Sequence, residues 1–281
     1  DRFHSHEVLL LPSARMGFHC LMEQAFQPGD KVIFSGMSFP LYVKIALQLG
    51  LSPVFVDVEP GHLNIDPEKI RKAITKETKA VVVTHLFGHP AQLENIKEIT
   101  DQFGIPIIED CAQSYDSFFR VKETGTTGWV GIFSCSLMKV PTTLGGGVLL
   151  TKDKELARKI RTTVKEIYIS REKREAMSYH AKGLVSVLNS YPTLYSLISH
   201  QIFGLIKKRN PALLRQILYS GMGMGDKRYD PGERPPLAEY QKRVGANQFG
   251  RAREMTEKRR RNSAVLDQTL GKSDKVTILS E

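Results

Sequence analysis

The alternation of short apolar segments with helical segments over residues 1–165 constrains the fold of this chain more than any other feature. Strands are predicted at 31–35, 53–57, 79–84, 105–110, 130–134 and 146–151, and helices at 14–26, 41–49, 67–74, 91–103 and 153–165. Runs such as 81–83 are continuously apolar, which is typical of strands buried on both faces. The sequence therefore predicts an α/β fold with a mainly parallel sheet, whose ligands lie at the carboxyl ends of the strands.

Composition narrows the class of protein. The chain has 281 residues, of which 41% are apolar, and this excludes a disordered, collagen-like or disulfide-stapled chain. Cys20, Cys111 and Cys135 lie far apart, which predicts three reduced thiols of a cytoplasmic protein and no metal site. The net charge of +10 favours an anionic partner. Phosphates, nucleotide diphosphates and anionic membranes all stay open, but no motif indicates nucleic acid.

Three regions are predicted. Residues 1–165 form a large domain, 166–236 a divergent helical insertion, and 237–281 a long helix (237–270) with the start of a small domain. The chain begins without a methionine and ends in KVTILSE, a pattern typical of a strand just starting. We therefore expect a fragment of a longer protein with a truncated small domain.

Apolar residues in the insertion follow helical spacing from Leu194 to Ile206, and the basic run 207–209 comes next. No uninterrupted apolar run reaches the length of a membrane span. Two interpretations of 184–209 stay open. It is an amphipathic helix on a membrane surface, or a helical pair that packs on its own protein or on a second subunit.

Two ionisable residues follow neighbouring strands. Asp110 ends the buried strand IIED. A carboxylate at this place either has a cationic or hydrogen-bonded partner, or it caps the helix that follows. Lys139 lies after the next strand between Leu137-Met138 and Val140-Pro141. It is either an ordinary solvated lysine or an amine whose pKa the apolar flank lowers, which makes it nucleophilic.

Two further features precede helices. Ser13 is placed to cap a helix that Ala14 and Arg15 open, and such a helix start favours a phosphate dianion, although a plain capped helix gives the same pattern. Phe39 follows the strand at 31–35 and is either a core residue or a flat face for an aromatic ring. An amine, a carboxylate, a phosphate cradle and a stacking ring together predict a site for pyridoxal 5'-phosphate.

The chain also resembles the DegT/StrS-type nucleotide-sugar aminotransferases, which are fold-type-I enzymes dependent on pyridoxal phosphate. The resemblance covers 12–165 and 237–270 and rests on segments that agree in order and spacing. They are PGDKVI (28–33), MSF (37–39), PVFVDVEPGHLNIDPEKIRKAIT (53–75), VVVTHLFGHPAQLENI (81–96), IPIIEDCAQS (105–114), GIFSCSLMK (131–139), GGGVLLTKDKELARKIR (145–161) and GANQFGRAREMTEKRRRN (245–262).

The resemblance implies a role for each matching residue. Lys139 takes the position of the Schiff-base lysine, and Asp110 that of the acid at the pyridine nitrogen. The remaining cofactor-binding positions fall on Gln113 (ring or O3′), Phe39 (stacking), Ser134 (phosphate), Ala14 and Arg15 (phosphate cradle) and His85 (beside the pocket).

The resemblance also implies a parallel sheet between helical layers and a cytoplasmic homodimer. The expected reaction transfers an amino group from glutamate or glutamine to a nucleotide-linked keto sugar, in the synthesis of cell-surface polysaccharide or of secondary metabolites. Dehydratases of the same family carry histidine at the lysine position, so Lys139 favours an aminotransferase.

Departures from the family pattern, together with the divergent segment 165–236 and the expected truncation, leave a second interpretation open. The cradle reads Ser13-Ala14 in place of Gly-Thr, and Leu137-Met138 replaces Pro-Thr before the lysine. Arg234-Pro235-Pro236-Leu237 stands where many members have Asn-Tyr-Arg-Met. The alternative is a catalytically impaired relative that acts as a regulatory or membrane-associated binding protein.

Overall fold

The computed structural model describes residues 3–137, 139–169, 200–211 and 228–272. The strands are β1 (Glu7–Leu11), β2 (Lys31–Ser35), β3 (Ser52–Val56), β4 (Thr78–Thr84), β5 (Ile107–Asp110), β6 (Phe118–Phe119), β7 (Lys122–Glu123), β8 (Val130–Ser134) and β9 (Gly147–Thr151). The helices are α1 (Ala14–Ala25), α2 (Pro40–Gln48), α3 (Pro67–Ala73), α4 (Leu93–Gln102), α5 (Lys154–Ile169), α6 (His200–Arg209), α7 (Glu239–Gly250) and α8 (Ala252–Leu270), with a 3₁₀ turn at Leu86–Gly88.

Seven strands form one sheet in the order β1-β9-β8-β5-β4-β2-β3. Strands β3, β2, β4, β5 and β8 are mutually parallel, and β9 is antiparallel to both of its neighbours. The predicted mainly parallel sheet is therefore confirmed. Strand β1 runs in the same direction as β8, so the start of α1 and the loops after the parallel strands share one edge of the sheet.

Two apolar layers cover the sheet. On one face Phe18 of α1 packs with Phe34 and Ile108, and α2 and α5 belong to the same cluster. On the other face α3 and α4 pack on residues that include Ile33 and Ile107. Because strand side chains alternate between faces, Asp110 points to the α1 side with Ile108, and Glu109 points to the α3–α4 side with Ile107.

Most predicted elements are found within two residues of their expected bounds, but α5 ends four residues after its predicted end and another helix is divided in two. The single helix predicted over 237–270 is wrong, because Arg251 (φ −103°, ψ 0°) separates α7 from α8. Gly250 precedes this break, and glycine is a weak helix former. The two-stranded hairpin β6–β7 was not predicted.

The other predictions for the second half of the chain are tested less fully. The strand predicted at 275–281 and most of 166–236 lie outside the described residues. The division into three regions therefore stays a prediction, although α5 continues past residue 165 to Ile169. In the described segment α6, Ile202 and Leu205 are exposed. No helix among the described residues combines the length and the apolar character that crossing a bilayer requires.

A buried carboxylate that the sequence analysis missed joins three segments of this frame. The Glu109 carboxylate has no exposed surface and accepts hydrogen bonds from the backbone N–H groups of Gly125 (2.6 Å), Thr127 (2.9 Å) and Gly128 (2.6 Å). Its fourth donor is His85 Nε2 at 3.0 Å. Burial by itself raises the pKa of Glu109, but these donors outweigh it and the net pKa is lowered.

We expect Glu109→Gln to lower the free energy of unfolding at neutral pH by about 3 kcal/mol, because the amide cannot accept from all four donors. The lowered pKa means that this stabilisation is present above the ordinary carboxyl pKa of 4.5 and is lost as pH falls toward the folded-state value. Urea unfolding at several pH values measures both effects. The exposed Glu98→Gln is the matched control, with an expected change below about 0.5 kcal/mol. An equal loss in both variants would contradict the prediction.

Candidate active site

Four loops at one edge of the sheet carry most of the predicted site residues. Asp110 ends β5, and Lys139 lies in the loop between β8 and β9. Ser13 joins β1 to α1, and Phe39 joins β2 to α2. The carboxyl ends of parallel strands meet at a common edge, so these residues converge although they are far apart in the chain.

Asp110 is a buried carboxylate with spare acceptor capacity. Its Oδ1 accepts from the Ala112 backbone N–H at 3.1 Å, whereas Oδ2 lies 3.5 Å from the Thr84 hydroxyl, at the limit of a hydrogen bond. Burial raises the pKa of Asp110, against the opposing effects of the Ala112 N–H and the positive charge of Lys139. A cationic N–H donor placed at Oδ2 would relieve this desolvation.

Lys139 is half-buried and interacts electrostatically with Asp110. Burial lowers the pKa of the Lys139 amine, the Asp110 carboxylate raises it, and the Arg259 guanidinium of α8 lowers it. The net pKa lies below the ordinary 10.5, so a larger fraction of this amine is neutral at physiological pH than of an exposed lysine. Only a neutral amine can attack an aldehyde carbon.

The start of α1 has the predicted cap. The Ser13 side chain accepts from the Met16 N–H at 3.1 Å, which leaves the N–H groups of Ala14 and Arg15 without an acceptor inside their own helix. Gly147 of β9 lies directly beside this helix start, since a Cβ there would collide with the Ala14 nitrogen. The Arg15 guanidinium is paired with the Glu233 carboxylate at 2.9 Å, a contact that sequence analysis missed.

Phe39 is the outermost of three aromatic rings that contact one another in turn. It meets Tyr42 edge-on, with ring centroids 5.7 Å apart, and the buried Tyr42 stacks on Phe18 at 4.1 Å. Phe39 itself is 37% exposed. A ring that is supported from the core and open on its other side can stack on a flat ligand.

The remaining predicted residues differ in position. Ser134 is half-buried at the end of β8. The exposed Gln113 accepts from the Phe87 N–H at 3.2 Å, so its amide oxygen already has one donor. His85 is not brought to the α1 side with the others, because its Nε2 donates to Glu109 while its Nδ1 accepts from the Ala91 N–H at 3.0 Å. Its predicted place beside a cofactor stays a prediction.

Sequence reasoning missed three polar residues of this region, and they left unequal signals. Glu109 could have been found, because a charged residue inside a buried strand needs hydrogen-bond donors. As the neighbour of Asp110 on β5, it needs them on the opposite face of the sheet. Glu233 and Gln241 gave no signal of this kind. Their partners Arg15, Thr143 and Gly145 are distant in the chain, and only the folded structure brings them together.

The donor set fits pyridoxal phosphate. Asp110 Oδ2 offers an acceptor for a protonated ring nitrogen, Lys139 offers an amine for the aldehyde, and the start of α1 offers N–H donors for the phosphate. Phe39 offers a face for the ring. These residues all lie at the same edge of the sheet.

Comparison of the chain with known proteins finds an aminotransferase and a related dehydratase among the similar proteins. An L-glutamine:2-deoxy-scyllo-inosose aminotransferase of Streptomyces kanamyceticus is 41% identical over 132 residues, which are 47% of this chain and 31% of that enzyme. The chain thus spans about a third of the length of that curated relative. A crystal structure of GDP-4-keto-6-deoxymannose-3-dehydratase with a trapped PLP-glutamate geminal diamine is 30% identical, with a TM-score of 0.51 over 54% of this chain and 42% of that one.

A more distant structure matches almost the whole fold. Helicobacter pylori PseC, an aminotransferase involved in the biosynthesis of pseudoaminic acid, superposes with a TM-score of 0.66 over 95% of this chain and 59% of that one, at 18% identity. This similarity shows a fold-type-I architecture. A model of the DegT/DnrJ/EryC1/StrS aminotransferase family matches residues 4–190, which is more than half of the chain. The chain therefore belongs to the DegT/DnrJ/EryC1/StrS aminotransferase family.

Proposed function

We propose that this chain is the cofactor-binding part of a pyridoxal phosphate-dependent sugar aminotransferase. The observation that carries the proposal is the pair formed by the buried Asp110 carboxylate and the half-buried Lys139 amine at the carboxyl edge of the sheet. Lysine at this position favours amino transfer over the dehydration catalysed by family members with histidine there. The named relatives that act on sugars or inososes support a sugar substrate.

Bound pyridoxal phosphate supplies an electrophilic aldehyde and a protonated ring that takes up electrons from the substrate. Asp110 accepts the hydrogen bond of the ring nitrogen and keeps its proton in place. The desolvation of Asp110 strengthens this interaction, because a charge pair in a low-dielectric interior is poorly screened. The Ala112 N–H orients the carboxylate from the other side.

Lys139 has two tasks in this proposal. As a neutral amine it would hold the cofactor at its aldehyde, and as a general base it would move a proton at the donor α-carbon. Its lowered pKa serves both tasks, since nucleophile and general base are the unprotonated form. The N–H groups that open α1 anchor the phosphate, and Phe39 covers one face of the ring.

The finer parts of the proposal concern substrate and assembly. We propose glutamate or glutamine as amino donor and a nucleotide-linked keto sugar as acceptor, in polysaccharide or secondary-metabolite synthesis. The net charge of +10 favours a substrate with phosphates. We further propose a cytoplasmic homodimer. In α6 the exposed Ile202 and Leu205 precede a basic end, which suits a peripheral membrane contact within 184–209.

The first prediction concerns the lysine. Purified protein titrated with pyridoxal phosphate is expected to develop an absorption band near the edge of the visible range. Lys139→Ala should abolish both this band and turnover, because no amine then reaches the aldehyde. Lys152→Ala is the matched control and should titrate like the wild type, since Lys152 is an exposed lysine outside the proposed site. Equal spectra for wild type and Lys139→Ala would overturn the assignment.

The second prediction concerns the acid. Asp110→Asn should retain measurable cofactor binding but lose about 100-fold or more of the half-transamination rate with glutamate, because the ring nitrogen loses its charged partner. Single-turnover absorbance measures the rate and equilibrium titration the binding. A rate near the wild-type value would show that protonation of the ring is not set by Asp110.

The third prediction concerns the positive charge of Arg259 on α8, which acts on Lys139. Arg259 lowers the pKa of Lys139, so Arg259→Gln should move the pH midpoint of cofactor attachment upward. Arg253→Gln, on the exposed side of the same helix, should leave the midpoint unchanged. Absorbance recorded as a function of pH at low salt tests both variants. A downward shift in Arg259→Gln would contradict the assigned sign.

A further inference from the structure

We propose that Gln241 is a positioning residue for Lys139 and acts through the lysine loop, which comprises the described residues 135–137 and 139–147. The inference rests on the proposed function, because it gives Gln241 a part in placing the reactive amine. Gln241 lies in the first turn of α7, and its side chain is 2% exposed. A buried amide needs partners for each of its polar atoms, and these partners identify its role.

The lysine loop is closed at its base by backbone hydrogen bonds. Cys135 N–H donates to the Gly146 carbonyl at 2.9 Å, and the N–H groups of Thr143 and Gly145 both donate to the Cys135 carbonyl, at 3.0 and 3.3 Å. Gly145 (φ 125°) and Gly146 (φ 138°) adopt conformations that other residues rarely reach. Since Lys139 lies within this closed loop, a displacement near residue 143 is transmitted to it.

The Gln241 amide binds this loop with both of its donors. Nε2 donates to the carbonyls of Thr143 (3.1 Å) and Gly145 (3.3 Å). Oε1 accepts from the Ala238 N–H at 3.0 Å, which fixes the amide plane at the start of α7. An amide carries two N–H donors and an acceptor on one rigid group. Glutamate would present oxygen to two carbonyl oxygens. Leucine would remove this partner from the Thr143 carbonyl and the Ala238 N–H, and would leave the Gly145 carbonyl with the Thr143 hydroxyl as its donor.

Two glycines show that the loop is confined from both sides. A Cβ on Gly245, one turn after Gln241, would lie 2.8 Å from Thr143 Cγ2, so the backbone of α7 rests directly on the loop. At the other end, Gly147 contacts the helix start at Ala14. Helix α7 therefore fixes the loop that carries the amine against the helix that offers the phosphate site.

The first test compares Gln241→Leu with Asn247→Leu, an exposed position on the same helix. Gln241→Leu should weaken pyridoxal phosphate binding about tenfold, which is the loss expected when a residue that orients a binding group is removed. The same variant should shift the pH midpoint of the lysine-dependent absorbance. Asn247→Leu should change neither. In a Lys139→Ala background the effect of Gln241→Leu on affinity should disappear. An equal loss with and without Lys139 would overturn the positioning role.

A second test does not depend on the folding of Gln241→Leu. Gly245→Ala should displace Thr143 and produce the same two shifts, and adding Thr143→Ser should restore both values, because serine lacks the methyl group that the new Cβ meets. Wild-type values in Gly245→Ala, or no restoration by Thr143→Ser, would contradict the inference. Absence of a lysine-dependent absorbance in the wild type would contradict the proposed function. If the wild type shows this absorbance and Gln241→Leu has the same affinity and pH midpoint, only the positioning role of Gln241 is contradicted.

Discussion

The proposed chemistry depends on the desolvation of one carboxylate, that of Asp110. A buried carboxylate with an acceptor position left over is unfavourable unless a cation or a charged N–H donor meets it. The nearby Lys139 supplies part of that compensation and has its own pKa lowered by burial. The site thus combines an acid that needs a proton donor with an amine that readily loses its proton. This is the combination that a cationic ring bearing an aldehyde can satisfy.

The alternation of side chains along β5 explains why such a site is compatible with a stable domain. Asp110 faces the α1 side, and its neighbour Glu109 faces the α3–α4 side. There, three backbone N–H groups and His85 satisfy Glu109 completely. One carboxylate of the pair is therefore fully hydrogen-bonded, and the other retains the acceptor position that the proposed function uses.

Helix α7 extends the site beyond the first 165 residues. Gln241 and Gly245 contact the lysine loop, and Glu233, in the segment before α7, pairs with Arg15 at the start of α1. The segment 228–250 therefore contacts both the loop that carries the amine and the helix that offers the phosphate site. This dependence gives a physical reason for the later segment to belong to the same functional unit as the sheet.

Local sequence patterns were enough to predict the mainly parallel sheet, most element bounds and the positions of Asp110, Lys139 and the Ser13 cap. Continuous apolar runs indicate strands buried on both faces, and strands that are parallel have their carboxyl ends at one edge of the sheet. Folding is needed to show that His85 bonds to Glu109 and that Gln241 reaches Thr143. Such contacts join residues distant in the chain over hydrogen-bond distances. They depend on how whole elements pack, and no local pattern encodes that packing.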